Sequence, residues 1–232
     1  MKLFLNILFL LPFLIFAQDS TKVKKLKYTP DFKFKDGIYL SFEDVRHNNP
    51  IIKERIITDL NYEDYAFFEK LLDNVETITV LDAMGLRKEI PVKDIWGFSQ
   101  NGIVYIHWND TFNRIPVFGS ISHFIADKTY ITNNPNYPYN YYNSYYNPYN
   151  PYYSSAYPGN QSKQTELRQY LLDMETGKVI DYTDKNIELI IMRDPELYQE
   201  FMSLKKKQRK KLKFVFLRKY NERHPLYIYE AQ

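Results

Sequence analysis

"IWGFSQNGIVYIHW" runs from Ile95 to Trp108. Two aromatic and β-branched runs flank Asn101-Gly102. Asn and Gly accept the positive φ angles of a two-residue type I′ turn, so the stretch predicts a tight antiparallel hairpin. Trp96 and Trp108 lie inside it and are expected to face the core, with sugar stacking as the alternative for an exposed indole.

Working outward, the neighbouring segments carry the same period of two. Val75 to Leu81 alternates, Met84-Gly85 reads as a turn, and Leu86 to Val92 returns. Phe112 to Ile125 predicts one or two strands around Gly119, and Glu166 to Tyr182 a second hairpin turning at Thr176-Gly177. Upstream, Ile38 to Leu40 has strand composition. Ser41 caps a helical turn ending at Arg46, Asn48-Asn49-Pro50 stops it, and Ile51 to Ile56 reads as a strand. Asn61 to Leu72 fits one amphipathic helix capped by Asn61, with Tyr65, Phe68 and Leu72 on one face; a strand is the alternative. After Tyr182 the period becomes 3.6. Asp184 is placed to cap a helix through Met192. Asp194-Pro195-Glu196 combines a cap, a tolerated first-turn proline and an acid that suits the helix dipole. Leu197, Phe201, Leu204, Leu212, Val215 and Phe216 share roughly one face up to Tyr220, Pro225 ends the helix, and "LYIY" offers a last strand. Strands followed by helices predict an α+β fold: an antiparallel sheet, sandwich- or barrel-like, then C-terminal helices.

One segment breaks this plan. "NNPNYPYNYYNSYYNPYNPYYSS", Asn133 to Ser155, has no apolar period, and no charge stands between Lys128 and Lys163. Its prolines block ladder pairing and oppose zipper formation. It reads as a disordered insertion spanning residues 133–162 between two strands, with tyrosines available for contact. Tyr141, Tyr142, Tyr145 and Tyr146 are the candidates to meet a protein or glycan partner.

The N-terminus gives a compartment. Met1-Lys2 is a basic start, Leu3 to Phe16 is apolar except Asn6, and Ala17-Gln18 precedes a polar run. This is the pattern of a secretory signal peptide, shorter than the roughly 20 apolar residues of a membrane helix. Residues 1–18 are expected to be cleaved near Ala17-Gln18, placing the protein in the periplasm or cell envelope. Residues 19–35 read as a flexible, Lys-rich lead-in, 36–182 as a β-rich domain with the insertion, and 183–232 as a helical segment packed on it. The chain has no Cys, so the fold is held without disulfides and has no thiolate metal site.

In that order, "DGIYLSFEDVRHNNP" (Asp36 to Pro50), "IWGFSQNGIVYI" (Ile95 to Ile106) and "FLRKYNERHPLYI" (Phe216 to Ile228), behind a leader ending "FAQ", resemble a family of uncharacterised exported proteins of Bacteroidota. The resemblance covers Asp36 to about Ile228, with the Tyr-Asn segment as a variable insertion. It implies export and an architecture, and no activity or site residues.

Charge is unevenly spread. Gln18 to Met202 holds 20 bases and 26 acids, and Ser203 to His224 holds 10 bases and one acid. "KKKQRKK" concentrates Lys205, Lys206, Lys207, Arg209, Lys210 and Lys211 within two helical turns. Nucleic acid is the default partner of such a run in the cytoplasm. For an exported protein the expected partner is anionic lipid or an acidic envelope polymer, and no nucleic acid.

No constellation points to catalysis or a cofactor. Of the four histidines, only His107-x-x-Asp110 has a spacing with metal-binding chemistry, against the blander reading of a hydrogen-bonded histidine. Gly119-Ser120-Ile121-Ser122 lacks the second glycine of a nucleophile elbow. The spacing of the carboxylates singles out no hydrolytic pair. The expected role is non-enzymatic interaction or envelope support; the alternative is a carbohydrate-binding module or a hydrolase of cell-wall or glycan material.

Overall fold

The computed structural model describes residues 23–133 and 161–231. The hairpin at Asn101-Gly102 is present: strand β6 (Gly97–Gln100) pairs antiparallel with β7 (Ile103–Trp108), and both turn residues have positive φ, 55° and 76°. With β2 (Gly37–Tyr39) and β8 (Thr111–Arg114) they form a sheet ordered β2-β6-β7-β8. Alternation sends its side chains to two cores. Ile38, Phe98 and Tyr105 face one side; Tyr39, Val104 and Ile106 face the other.

On the first side lie α2 (Phe67–Leu72) and a three-stranded sheet of β3 (Ile56–Ile57), β4 (Thr77–Leu81) and β5 (Arg87–Pro91). Ile78, Val80 and Ile90 from this sheet meet Phe67, Phe68 and Phe98, the last two rings stacked 5.5 Å apart. On the other side lies a long ribbon: β9 (Ile121–Asn133) and β10 (Gln161–Asp173) pair along 13 residues each, and β11 (Val179–Asp181) adds to the edge. Phe124, Ala126, Tyr170 and Leu172 point from the ribbon into the shared core, where Trp96 and Trp108 are half-buried. Its opposite face, through Ile121 and Leu171, packs on three helices. These are α3 (Asp184–Ile191), α4 (Pro195–Ser203) and α5 (Lys206–Arg223). The fold is therefore α+β with layered antiparallel sheets and C-terminal helices. None of the four sheets formed by the described residues closes into a barrel, which removes that alternative.

Several expectations need correction. The lead-in is not free of structure: β1 (Val23–Lys27) pairs antiparallel with β12 (Tyr227–Ala231), and Tyr28, Phe32 and Phe34 pack beside Phe118. Its lysines hid a strand whose partner lies some 200 residues away in sequence. Asn61 does not start a helix. Its side chain accepts only the Glu63 N–H, and α2 begins at Phe67, leaving Tyr65 exposed. "IIKERI" gives a 3₁₀ turn at Lys53–Arg55 and only the two-residue β3. The single long C-terminal helix is two, because Leu204 and Lys205 adopt extended backbone between α4 and α5. Residues 134–160, most of the insertion, lie outside the described residues, and its expected borders shift: β9 and β10 reach Asn133 and Gln161.

Other local readings hold. Ser41 caps α1 (Phe42–Arg46) in a reciprocal capping box with Asp44. Asn48, at φ 46°, ends that helix, and its buried amide accepts from Lys35 N–H and Tyr39 Oη while donating to Glu230 Oε1 at 2.8 Å. It ties α1 to β12. No helix among the described residues is long and apolar enough to cross a membrane.

Candidate functional site

The basic run occupies the start of α5. Lys205 is the cap residue, and Gln208 Oε1 accepts its backbone N–H at 3.2 Å. Lys205, Lys206, Lys207, Lys210 and Lys211 are exposed; Arg209 is half-buried, its guanidinium 5.8 Å from the Phe201 ring centre. Helical spacing puts Lys207, Lys211 and Arg218 on the face opposite the buried Phe216, Leu217 and Tyr220. Among the described residues, Lys210 alone of these seven bases has an acid within 4 Å, Asp184 Oδ2 at 3.7 Å. Lys213 shares Asp184 at 3.1 Å, and that hydrogen bond is the main reason the Asp184 carboxyl sits below its ordinary pKa. Met202, Leu212 and Val215 are exposed beside the bases. Phe216 and Leu217 anchor the far end of the segment, Val215 turns outward, and Arg209 and Lys210 hold the first turns to α4 and α3.

Beyond α5's midpoint Asn221 turns toward the ribbon. Asn221 inserts at the start of β9: Oδ1 accepts from Ile121 N–H and Ser120 Oγ, and Nδ2 donates to Ile121 O, each at 2.8 Å. Gly119 makes room, since a Cβ there would lie 2.7 Å from the Asn221 amide nitrogen. Ser120 and Ser122 are thus held in structural hydrogen bonds.

Below this lies a cleft of about 400 Å³ between α1, the end of β10, the α3–α4 junction and the α5–β12 junction. Asp173 lines it, and Asp194 is hydrogen-bonded to the lining Arg223 and His224; both acid side chains are only 5–6% exposed. Asp194 caps α4: Oδ1 accepts from Leu197 N–H and Arg223 Nη2, and Oδ2 from Arg223 Nε at 2.6 Å and His224 Nε2 at 3.0 Å. The Leu197 N–H, then His224 and Arg223, hold its carboxyl down to about pKa 2. Asp173 Oδ1 accepts from the Glu175 and Thr176 N–H groups of the turn, and Oδ2 pairs with Arg193 Nη1 at 2.7 Å. Arg46 also lines the cleft. Its guanidinium carbon is 5.3 Å from the Tyr229 ring centre, and its Nε is buried without a hydrogen-bond partner.

The sequence reading missed this cleft. It took Asp194 as a cap and His224 as one of four isolated histidines. The available signal was two basic-acidic clusters, Arg193-Asp194 and Glu222-Arg223-His224, at the ends of packed helices. Of the other candidates, His107 Nδ1 meets the Ile95 carbonyl at 3.1 Å and its ring stacks on Phe112. No group of three or more His, Asp or Glu side chains converges as a metal set among the described residues. Tyr141, Tyr142, Tyr145 and Tyr146 lie outside the described residues.

No family model, curated protein or solved structure matches this chain.

Proposed function

We propose that the protein is exported and attaches reversibly to an anionic lipid surface through the start of α5, acting as a non-enzymatic envelope-associated protein. The observation that carries this reading is the density of exposed bases there with a single acidic neighbour, Asp184. Each base near an anionic membrane contributes about 1 kcal/mol, enough in sum for reversible attachment. The exposed Met202, Leu212 and Val215 favour a lipid interface over a soluble acidic polymer, because apolar side chains among lysines enter the headgroup boundary. The tyrosines of the insertion provide a second contact, with a protein or glycan. The two buried acids at the cleft, Asp173 in its wall and Asp194 beside it, are held in ion pairs, which supports binding over hydrolysis.

Sedimentation with vesicles tests the lipid reading. The protein should co-sediment with phosphatidylglycerol vesicles at low salt, stay in the supernatant with phosphatidylcholine, and dissociate at physiological salt or above, where the screening length is about 8 Å. Binding to a soluble acidic polysaccharide but not to vesicles would assign the site to a polymer. Indifference to both would leave the run a solvated helix face. Mass spectrometry of the protein from its host tests export: a mature N-terminus near Gln18 is expected, and intact Met1 contradicts it.

A further inference from the structure

The cleft beneath the α5–β12 junction has an asymmetry of its own. Its buried acceptors are engaged: every carboxylate oxygen of Asp173 and Asp194 has a donor. Of its donors, Arg193 and Arg223 are held in ion pairs and Arg46 is not. A guanidinium carries five N–H groups; among the described residues Arg46 donates to the exposed Glu43 alone, at 3.4 Å, and its side chain stays 26% exposed. The ring of Tyr229 holds that guanidinium in place from outside the ion-pair network. Three guanidiniums, Arg46, Arg193 and Arg223, and two carboxylates, Asp173 and the exposed Glu175, line the walls, one net positive charge among the lining side chains; Asp194 pairs with Arg223 from outside the lining. Such a site favours an anion over a cation, and a singly charged anion over a dianion. Tyr220, Tyr227 and Tyr229 line the same space. Phenol rings offer an apolar face and a hydroxyl together, the combination that a hydroxylated ring can use. The volume, about 400 Å³, falls in the range of small-ligand sites.

We propose that this cleft binds a sugar acid, with Arg46 receiving the carboxylate and the tyrosines flanking the ring. The proposal is independent of the lipid reading, since the bases at the start of α5, Lys205 to Lys211, line no part of the cleft.

Calorimetric titration of the full chain with glucuronate, glucose and inorganic phosphate tests it. Glucuronate should bind at about 10 mM or below and at least tenfold tighter than glucose, the margin of a charge-assisted hydrogen bond. Arg46→Gln should remove that preference while the melting temperature moves by no more than about 2 °C, because Arg46 has no buried ion pair to lose. Tighter binding of phosphate than of glucuronate, equal binding of glucose, no binding of any probe, or an unchanged preference in Arg46→Gln would each overturn the assignment. If that variant fails to fold, backbone amide shifts decide the matter in the unaltered protein. Glucuronate should then perturb Arg46, Arg193 and Tyr229, and perturbation confined to other regions overturns the proposal.

Discussion

The two halves of α5 are built from similar residues and do different work. Toward the C-terminus, Arg223 pairs with Asp194 and Glu196, Lys219 pairs with Glu200, and Asn221 is inserted at the start of β9. Phe216, Leu217 and Tyr220 are buried among the helices. At the N-terminus most bases face solvent, and among the described residues Asp184 is the one acid that reaches them, at Lys210 and Lys213. The difference lies in what surrounds each half. The C-terminal half runs between α3, α4 and the ribbon, where an unpaired charge would be costly. The N-terminal half has no such cover, and there a high charge density has little effect on stability. One helix can thus serve as a structural strut along half its length and a charged contact surface along the other.

Substitutions in the strut should have the largest effect. Phe216→Ala removes a buried ring that packs edge-on against Phe201 at 5.0 Å. It should lower unfolding stability by about 3–5 kcal/mol in urea titrations; a loss below about 1 kcal/mol would mean that this half is not part of the core. Next, Asn221→Ala leaves the Ile121 N–H and C=O without partners and should cost about 1–3 kcal/mol. The same measurement on Asn221→Asp should recover part of that loss, since a carboxylate can still accept the two hydrogen bonds.

A third test uses pH. Asp194 titrates at about 2 when folded, below its ordinary 3.8, so the unfolded chain takes up that proton first. Its contribution to stability is complete above about pH 4 and is lost as pH falls through 2. Asp194→Asn should lower the melting temperature at neutral pH and flatten its acid decline in that window. An unchanged acid limb would show that the pairs with Arg223 and His224 do not stabilise the fold. His123 works in the same direction at higher pH. Burial lowers its pKa from 6.5, so its contribution is complete above 6.5 and shrinks as pH drops below that value. His123→Asn should remove this slope from melting curves. The smallest effect belongs to the contact half: Lys207→Gln with Lys211→Gln should change stability by no more than about 0.5 kcal/mol.

Much of the fold was legible where local chemistry dictates it. Asn101-Gly102 fixes a turn, Ser41 and Asp194 cap helices, and Ile78 and Val80 alternate inward, each within a few residues. What was not legible depends on distant partners. Val23 to Lys27 looks like a solvated lysine run until Tyr227 to Ala231 lies beside it. Tyr65 fits a helical face, yet Gln100 Nε2 donates to its carbonyl and Gln100 Oε1 accepts the Phe68 N–H, a connection across 30-odd residues that delays the helix to Phe67. The basic run was visible because charge density is a local property. The cleft was not, because Arg46, Asp173, Arg193 and Arg223 come from four separate segments and become neighbours only when the helices close on the ribbon.

The most direct test of the division within α5 compares two charge-removing variants by two measurements. Lys206→Gln, Lys207→Gln and Lys211→Gln together remove bases of the contact half; Arg223→Gln removes one from the strut. For each, melting temperature and partition onto phosphatidylglycerol vesicles at low salt are measured side by side. The triple variant should leave the vesicles and melt within about 2 °C of the unaltered protein, while Arg223→Gln should stay on the vesicles and melt lower. If the triple variant melts early or remains bound, or if Arg223→Gln dissociates while as stable as the parent, the two halves of α5 do not divide structure from contact in this way.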